Sequence, residues 1–525
     1  MKRIILTALL SATILTLGAQ NMHDYNFITS TNLWLGARNG AALVTFEQPR
    51  IAIAELSAEK ANGRYVGIEG SDNSIKGGVS TESYAHISDR INAFGRLSYS
   101  YFHGKNMGGP IFLDPSYNPF SLLESDPSTI GIKTKEFYTL DGGLSYKLSD
   151  KWAIGTYIDY TSGLSAKRKD PRFRNVYMDL DLSLGVRFQP SSRTSLGASL
   201  LYQRMLEKVD GKKFGNQALD FFTLINYGGF LSKKEIFSGD YGYMPEGSGS
   251  RNMFNSLYGV ALQCQAGNSK LGTFHELKFL YRDGYYGNKG SSNITYSEHS
   301  SLIFGYSGAL LINSRDNVQK IGLELGCELL GNKEKVFRTN TETGKQTIIQ
   351  YFGDKEVLER ALVTERLYWQ GWSGLDGYRA DWEYGASLSG EFCSQAATIF
   401  PSTTQSDIFT IALEGGAKRN ITIGGNIITP ELGLGFYIGG GNPQKESSVS
   451  SSSLIIAEEY LNRDFEYKSI ASLGGTASIT FTRIIKDGLD AYIRLSDQYK
   501  QCLTQPQYLG GKYRNILMLT IGCTF

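Results

Sequence analysis

The stretch Val176-Tyr-Met-Asp-Leu-Asp-Leu-Ser-Leu-Gly-Val-Arg-Phe188 decides the fold. Val176, Met178, Leu180, Leu182, Leu184, Val186 and Phe188 take every second position. Tyr177, Asp179, Asp181, Ser183, Gly185 and Arg187 take the places between. A period of two belongs to a strand whose faces meet different media. The run exceeds the ~5–6 residues of an ordinary soluble strand and meets the ~9–11 that a tilted strand needs to cross a bilayer. After the turn at 189–193 the pattern resumes, with Leu196, Ala198, Leu200 and Tyr202 on one face.

The same grammar extends in both directions. In 135–148, Tyr138, Leu140, Leu144, Tyr146 and Leu148 share a face. In 151–162, Trp152, Ile154, Ile158 and Tyr160 continue it. In 376–392, Tyr378, Ala380, Trp382, Tyr384, Ala386, Leu388 and Phe392 oppose Arg379, Asp381, Glu383, Ser387 and Glu391. Aromatic residues stand at the ends of the apolar columns, as two membrane interfaces require. Short turns, such as 88–92, 149–150 and 371–376, alternate with longer loops such as 105–134, 163–173, 206–252, 332–358, 393–405 and 440–462. The expected fold is therefore all-β: a closed antiparallel transmembrane β-barrel with short periplasmic turns and long extracellular loops. Its strands run from 49–60 to 512–525, eighteen in number. The count falls to sixteen or fourteen if weak strands are dropped; the weakest is 359–370, whose pattern also suits a helix.

Composition agrees. The 525 residues include 60 Gly, 32 Tyr and only 12 Pro, with 53 basic against 51 acidic residues. That balance excludes the basic field of a nucleic-acid binder. Lys2 and Arg3, the apolar run 4–17 and the small residues Gly18-Ala19 read as a secretory signal peptide at 1–19. No later run is apolar enough for a spanning helix. Cys264, Cys327, Cys393, Cys502 and Cys523 are scattered, which argues against a disulfide framework or a zinc site. Residues 20–48 precede the barrel of 49–525. They form either a periplasmic or lumen-plugging segment, or a plain lead-in.

On the signal peptide, the alternating strands and the last strand, the chain resembles a Gram-negative outer-membrane β-barrel protein of an uncharacterised family. In the stretch Tyr513–Phe525, the residues Tyr513, Leu517, Leu519, Ile521 and Phe525 resemble the C-terminal signal read by the barrel-assembly machinery. The resemblance implies a place in the cell outer membrane, in contact with its lipid and lipopolysaccharide. It implies no cofactor and no characterised substrate. The stretch before the first strand is too short for the separate plug domain of TonB-dependent transporters.

Function then rests on the inward faces and the loops. Asp141, Asp159, Asp179, Asp181, Arg187, Arg379, Asp381, Glu383 and Glu391 are candidate lumen charges, which would select solutes or simply pair and stiffen the wall. Lys167, Arg168, Lys169, Arg172 and Arg174 form a basic outer loop that could meet phosphates, or be merely solvated. The loop 206–252 either folds inward or extends a hairpin. The sequence contains no GxSxG or HExxH pattern, so no enzyme is expected, and none of His23, His86, His103, His275 and His299 stands out as catalytic. The first expectation is a barrel that passes or binds small solutes through a polar lumen. The alternative is a plugged, non-transporting scaffold for surface interaction or assembly.

Overall fold

The computed structural model describes residues 22–113, 117–124, 129–215, 221–237, 251–290, 293–340, 348–449, 454–486 and 489–525. The expected signal peptide, 1–19, and the parts 216–220 and 238–250 of the longest loop lie outside the described residues.

The alternation becomes a closed antiparallel barrel. One sheet contains nineteen strands, and Ile421–Ile423 pairs only with the strand after it. The other eighteen make the wall: Arg50–Asn62, Asn73–Ser88, Ile91–Met107, Gly131–Lys147, Trp152–Lys167, Arg172–Ser191, Thr194–Lys212, Met253–Gly267, Leu271–Gly287, Thr295–Asn313, Asn317–Asn340, Ile348–Ser373, Trp382–Ile399, Ser402–Arg419, Asn426–Ser448, Ser472–Lys486, Leu489–Cys502 and Tyr513–Thr524. Each pairs with the wall strands before and after it. The last closes on the first, with Leu517 opposite Lys60 and Ile521 opposite Leu56. Two backbone bonds between Ala52 and Phe525 (2.8 and 3.0 Å) finish the seam, and the Arg50 guanidinium lies 5.3 Å from the Phe525 ring. Closure leaves no edge, so backbone groups are satisfied without water, as a bilayer demands.

The apolar columns face outward. Leu184 is 64 % exposed and Leu434 78 %, values that in water would be a liability and in lipid are a solvent match. Tyr202, Tyr258 and Tyr281 stand side by side on three strands toward the long-loop end. Trp152 stacks on Phe188, centroids 4.3 Å apart, at the short-turn end. These are the two girdles. Leu517, Leu519 and Ile521 face outward, while Thr520 and Thr524 are buried inward. The alternation thus sets the register across the closing seam.

Several boundaries differ from the expectation. The strand expected at 376–392 begins at Trp382, because Gly374 and Gly377 adopt left-handed backbone (φ 67° and 64°) and break the ladder. Arg379 and Asp381 therefore lie in the turn, not on the lumen wall, and Arg379 pairs with Asp376 at 3.4 Å. The expected loop 393–405 is a tight turn at Phe400-Pro401. The loop at 163–173 shrinks to residues 168–171, and the strands flanking 332–358 reach Asn340 and resume at Ile348. Above the girdles both faces meet water, so pairing continues where alternation has ended. The doubtful segment 359–370 lies within the strand Ile348–Ser373. Its mixed signal comes from Glu365, which faces outward between Val363 and Leu367.

A second sheet sits at the long-loop end. Ser121–Glu124, Phe221–Asn226, Leu231–Phe237 and Leu454–Ile456 form its four strands. The helix Glu458–Ser469 follows directly. Part of the longest loop thus folds as a hairpin within this sheet.

Candidate lumen site

Three bodies meet inside the barrel. The first is residues 22–46, at the short-turn end. The helix Met22–Thr31 leads to a six-residue 3-10 helix, Gly40–Thr45. Asn39 caps the 3-10 helix by accepting from the Ala41 amide at 3.0 Å. Its amide also donates to the Val186 carbonyl (3.2 Å) and to Gln263 (3.1 Å), fixing the 3-10 helix to the wall. Trp34 is 1 % exposed, packs edge-on to Phe274 at 5.2 Å and donates its indole N–H to Gln265. The Arg187 guanidinium lies over its ring at 5.3 Å. Arg38 pairs with Asp181 and, at 3.8 Å, with Asp159. Burial works against the Arg38 charge, but the carboxylates hold its pKa above the ordinary value. Wall glycines make room for this segment. A Cβ on Gly155 would sit 2.2 Å from the Gly40 backbone, and one on Gly185 would overlap the Asn39 side chain.

The second body enters from the long-loop end. Glu124 forms an ion pair with Lys133 (2.9 Å) and accepts from the 4 %-exposed Lys167. Lys167 is thus not part of a solvated outer loop; it points inward and holds an inserted one. Glu207 accepts from the Leu113 amide at 2.8 Å. Arg282 and Arg360 donate to the carbonyls of Tyr117 and Asn118 (2.8 and 3.3 Å) and share the carboxylate of Glu328 (3.2 and 3.7 Å). Burying such charges is costly unless they are paired; here both arginines are paired with Glu328, and each donates to one loop carbonyl. Ile111, Phe112, Phe120 and Leu122 pack with Tyr227, Leu231 and Tyr286 into an apolar core above the lumen. The helix Glu458–Ser469 is tied in beside them. Glu466 accepts three backbone amides, those of Gln507, Tyr508 and Leu509 (2.5–2.7 Å), and Arg463 donates to the Val66 and Gly67 carbonyls (3.3 and 3.2 Å).

The third body is space. A cavity of about 950 Å³ lies under residues 65–70 and the helix residues Asp464, Tyr467 and Lys468. A second, of about 620 Å³, shares Tyr65, Arg366, Glu391, Tyr437, Lys468 and Lys500 with it. The floor is the wall strands 382–486, where the inward residues Gly385, Gly416 and Gly433 are cross-strand neighbours, as are Gly435 and Gly474. Tyr437 lies across the last two and donates to Glu414 at 2.6 Å. Lys500 stands 3.4 Å above its ring. Tyr65 packs on Tyr467 at 5.3 Å, and burial pushes its hydroxyl up to about 12. Asp464 lies 2.8 Å from Lys468 and, against the effect of burial, holds that ammonium's pKa above its ordinary value.

The expected lumen charges divide among these bodies. Asp159 and Asp181 hold Arg38. Asp141 pairs with Arg96. Asp179 accepts from Gln203 at 3.0 Å. Glu383 pairs with Lys418 at 3.0 Å. Only Glu391 of the expected set lines the chamber. Sequence reading missed Glu207, Arg282, Glu328 and Lys500, although each occupies an inward register position. Glu124, Tyr65 and Lys468 lie in loops or a helix, where strand parity gives no signal.

Three of the five histidines are held by other groups. His299 faces Asn255 (2.6 Å), His275 the Tyr306 hydroxyl (2.9 Å) and His86 the Phe46 carbonyl (2.6 Å). None of these contacts joins a histidine to a serine or cysteine nucleophile. Among the described residues no cluster of three or more His, Cys, Asp or Glu side chains could hold a metal ion.

Comparison with known proteins gives the following. No curated protein matches the chain by sequence. Among solved structures, the outer membrane transporter YddB from Escherichia coli is 9 % identical, with 90 % of this chain and 80 % of that one covered and a TM-score of 0.43. The FrpB iron transporter from Neisseria meningitidis is 9 % identical, covering 92 % and 82 %, TM-score 0.41. A Pseudomonas aeruginosa FadL homologue is 11 % identical, covering 93 % and 92 %, TM-score 0.32. A family model matches residues 40–525, the whole barrel together with the 3-10 helix inside it, and the chain belongs to that family of unknown function, DUF6850.

Proposed function

We infer that the protein is an outer-membrane barrel that binds a small polar solute in its lumen and passes it when the inserted segments part. The chamber carries this reading. Its cavities, about 950 and 620 Å³, fall in the range of small-molecule sites. Its lining mixes tyrosines with charges of both signs, so it offers donors and acceptors to a hydroxylated or zwitterionic solute. In this reading residues 1–19 direct export, and the assembly machinery reads the outward column ending at Phe525.

The plugged scaffold is the second reading. The insertion of Trp34 and the hold of Asp159 and Asp181 on Arg38 favour it, because they anchor residues 22–46 across the lumen. Liposome swelling separates the two. Proteoliposomes of the wild type and of Asp159→Asn/Asp181→Asn would be challenged with sugars and amino acids of graded size. Solute passage predicts slow entry in the wild type and entry faster by several-fold in the variant. No entry in either would remove the solute reading and leave the scaffold.

A further inference from the structure

The expected basic loop changes character in the folded chain. Lys167 turns inward, and the remaining charges gain neighbours from the next strand. Arg168, Lys169, Arg172 and Arg174 are exposed, and so are Lys208 and Lys212 across the ladder. Arg172 stands directly opposite Lys212. Like charges so placed repel. Asp170 and Asp210 answer only part of this, at 2.9 Å to Arg172 and 3.8 Å to Lys212. Asp210 also stands directly opposite Arg174, but among the described residues Arg168, Lys169, Arg174 and Lys208 form no ion pair within 4 Å.

Height in the membrane supplies the second observation. Arg172 and Arg174 continue the outward column of Val176, Met178, Leu180 and Leu182; on this arc the outward aromatics bordering that column are Tyr160, paired with Leu180, and Tyr138, level with Met178 through Ser162, four residues below Arg174. Lys208 is paired with Val176 on the same face. The basic cluster therefore sits just above the long-loop girdle, where headgroups lie, with an unbroken apolar column beneath it for acyl chains. A free phosphate or a soluble polyanion would have no use for that column.

We propose that these six side chains form a docking surface for the phosphates of an anionic glycolipid of the outer leaflet, the class to which lipopolysaccharide belongs. Guanidinium forks on Arg172 and Arg174 suit phosphate oxygens bidentately, and the lysines add charge without fixed geometry. The site is independent of what the lumen carries.

Native mass spectrometry of the full-length protein in detergent tests it. The probes are bis-phosphorylated lipid A, fully dephosphorylated lipid A, phosphatidylglycerol and inorganic phosphate. Two variants accompany the wild type: Arg172→Gln/Arg174→Gln/Lys208→Gln/Lys212→Gln, and Arg168→Gln/Lys169→Gln in the turn, outside the ladder. Heat-modifiable migration confirms that each has folded. Bis-phosphorylated lipid A is expected to bind at least about tenfold more tightly than the dephosphorylated form and than phosphatidylglycerol, with a similar loss in the fourfold variant and a smaller one in the turn variant. Equal binding of both lipid A forms, unchanged binding by both variants, or displacement of the lipid by millimolar inorganic phosphate would overturn the proposal.

Discussion

Two arcs of the same wall are paved with inward glycine, and they do opposite things. On one arc, Gly143, Gly155, Gly185 and Gly197 lie against Leu43, Gly40, Asn39 and Trp34, so the space they leave is filled by the chain itself. On the other, Gly385, Gly416, Gly433, Gly435 and Gly474 lie beneath the chamber. A glycine on an inward face deletes a side chain and so creates room. What occupies that room is decided elsewhere, by the polar groups around it. The filled arc offers Asp159, Asp181, Gln263 and Gln265 to a segment that carries Arg38, Asn39 and Trp34. The open arc has Glu414 turned to Tyr437 and Glu431 accepting from Ser478 at 2.8 Å, so these two carboxylates are held within the wall and draw in no segment of the chain.

Four tests, one of them a matched pair of substitutions, strain this comparison. The largest effect tests the register on which both arcs depend. Leu519→Lys puts a charge on the lipid face and should cost ~2–4 kcal/mol, read as a drop in urea-unfolding stability in bilayers. Met518→Lys, inward and opposite Glu59, should cost far less. Equal losses would mean that the faces are misassigned.

Gly155→Val comes next. Its new atoms meet the Gly40 backbone, and overpacking of this kind costs ~1–3 kcal/mol. Here the cost should fall on the seating of residues 22–46, so limited proteolysis should cut that segment while the barrel resists. A segment that remains fully protected would show that the arc is not filled as described.

Asp181→Asn removes the nearer partner of Arg38, whose side chain is 48 % exposed. An ion pair that open contributes ~1 kcal/mol or less, so proteolysis of the segment should quicken only modestly.

The smallest effect on stability belongs to Gly433→Val. A Cβ there has no neighbour closer than 3.6 Å, and valine suits a strand. Unfolding should be unchanged within ~0.5 kcal/mol, while solute entry slows because the chamber narrows. A destabilisation as large as that of Gly155→Val would erase the distinction between the arcs.

Much of the architecture was legible from alternation alone. Residues 176–188 carry their register into the folded wall without a slip, and the count of eighteen needed only long strands and paired turns. Alternation failed where its cause ended. Beyond the girdles both faces meet water, so the strands around 332–358 and 393–405 run on unmarked. At 376–381 the apolar spacing persisted, but two left-handed glycines ended the pairing. Within the site, parity could have turned Lys167 inward, since it follows Asp159 at even spacing on one strand. Nothing local could have joined it to Glu124, which arrives from a loop. The filling of one arc and not the other was equally hidden, because it depends on matching Arg38 and Trp34 to acceptors more than a hundred residues away.

Single-channel recording in planar bilayers tests the central claim most directly, that residues 22–46 close a lumen which otherwise holds a continuous polar chamber. Wild-type protein should stay shut with rare openings, Gly155→Val should conduct persistently, and adding Gly433→Phe should lower that conductance by narrowing the chamber. Identical traces from the wild type and Gly155→Val, whether both silent or both open, would contradict it.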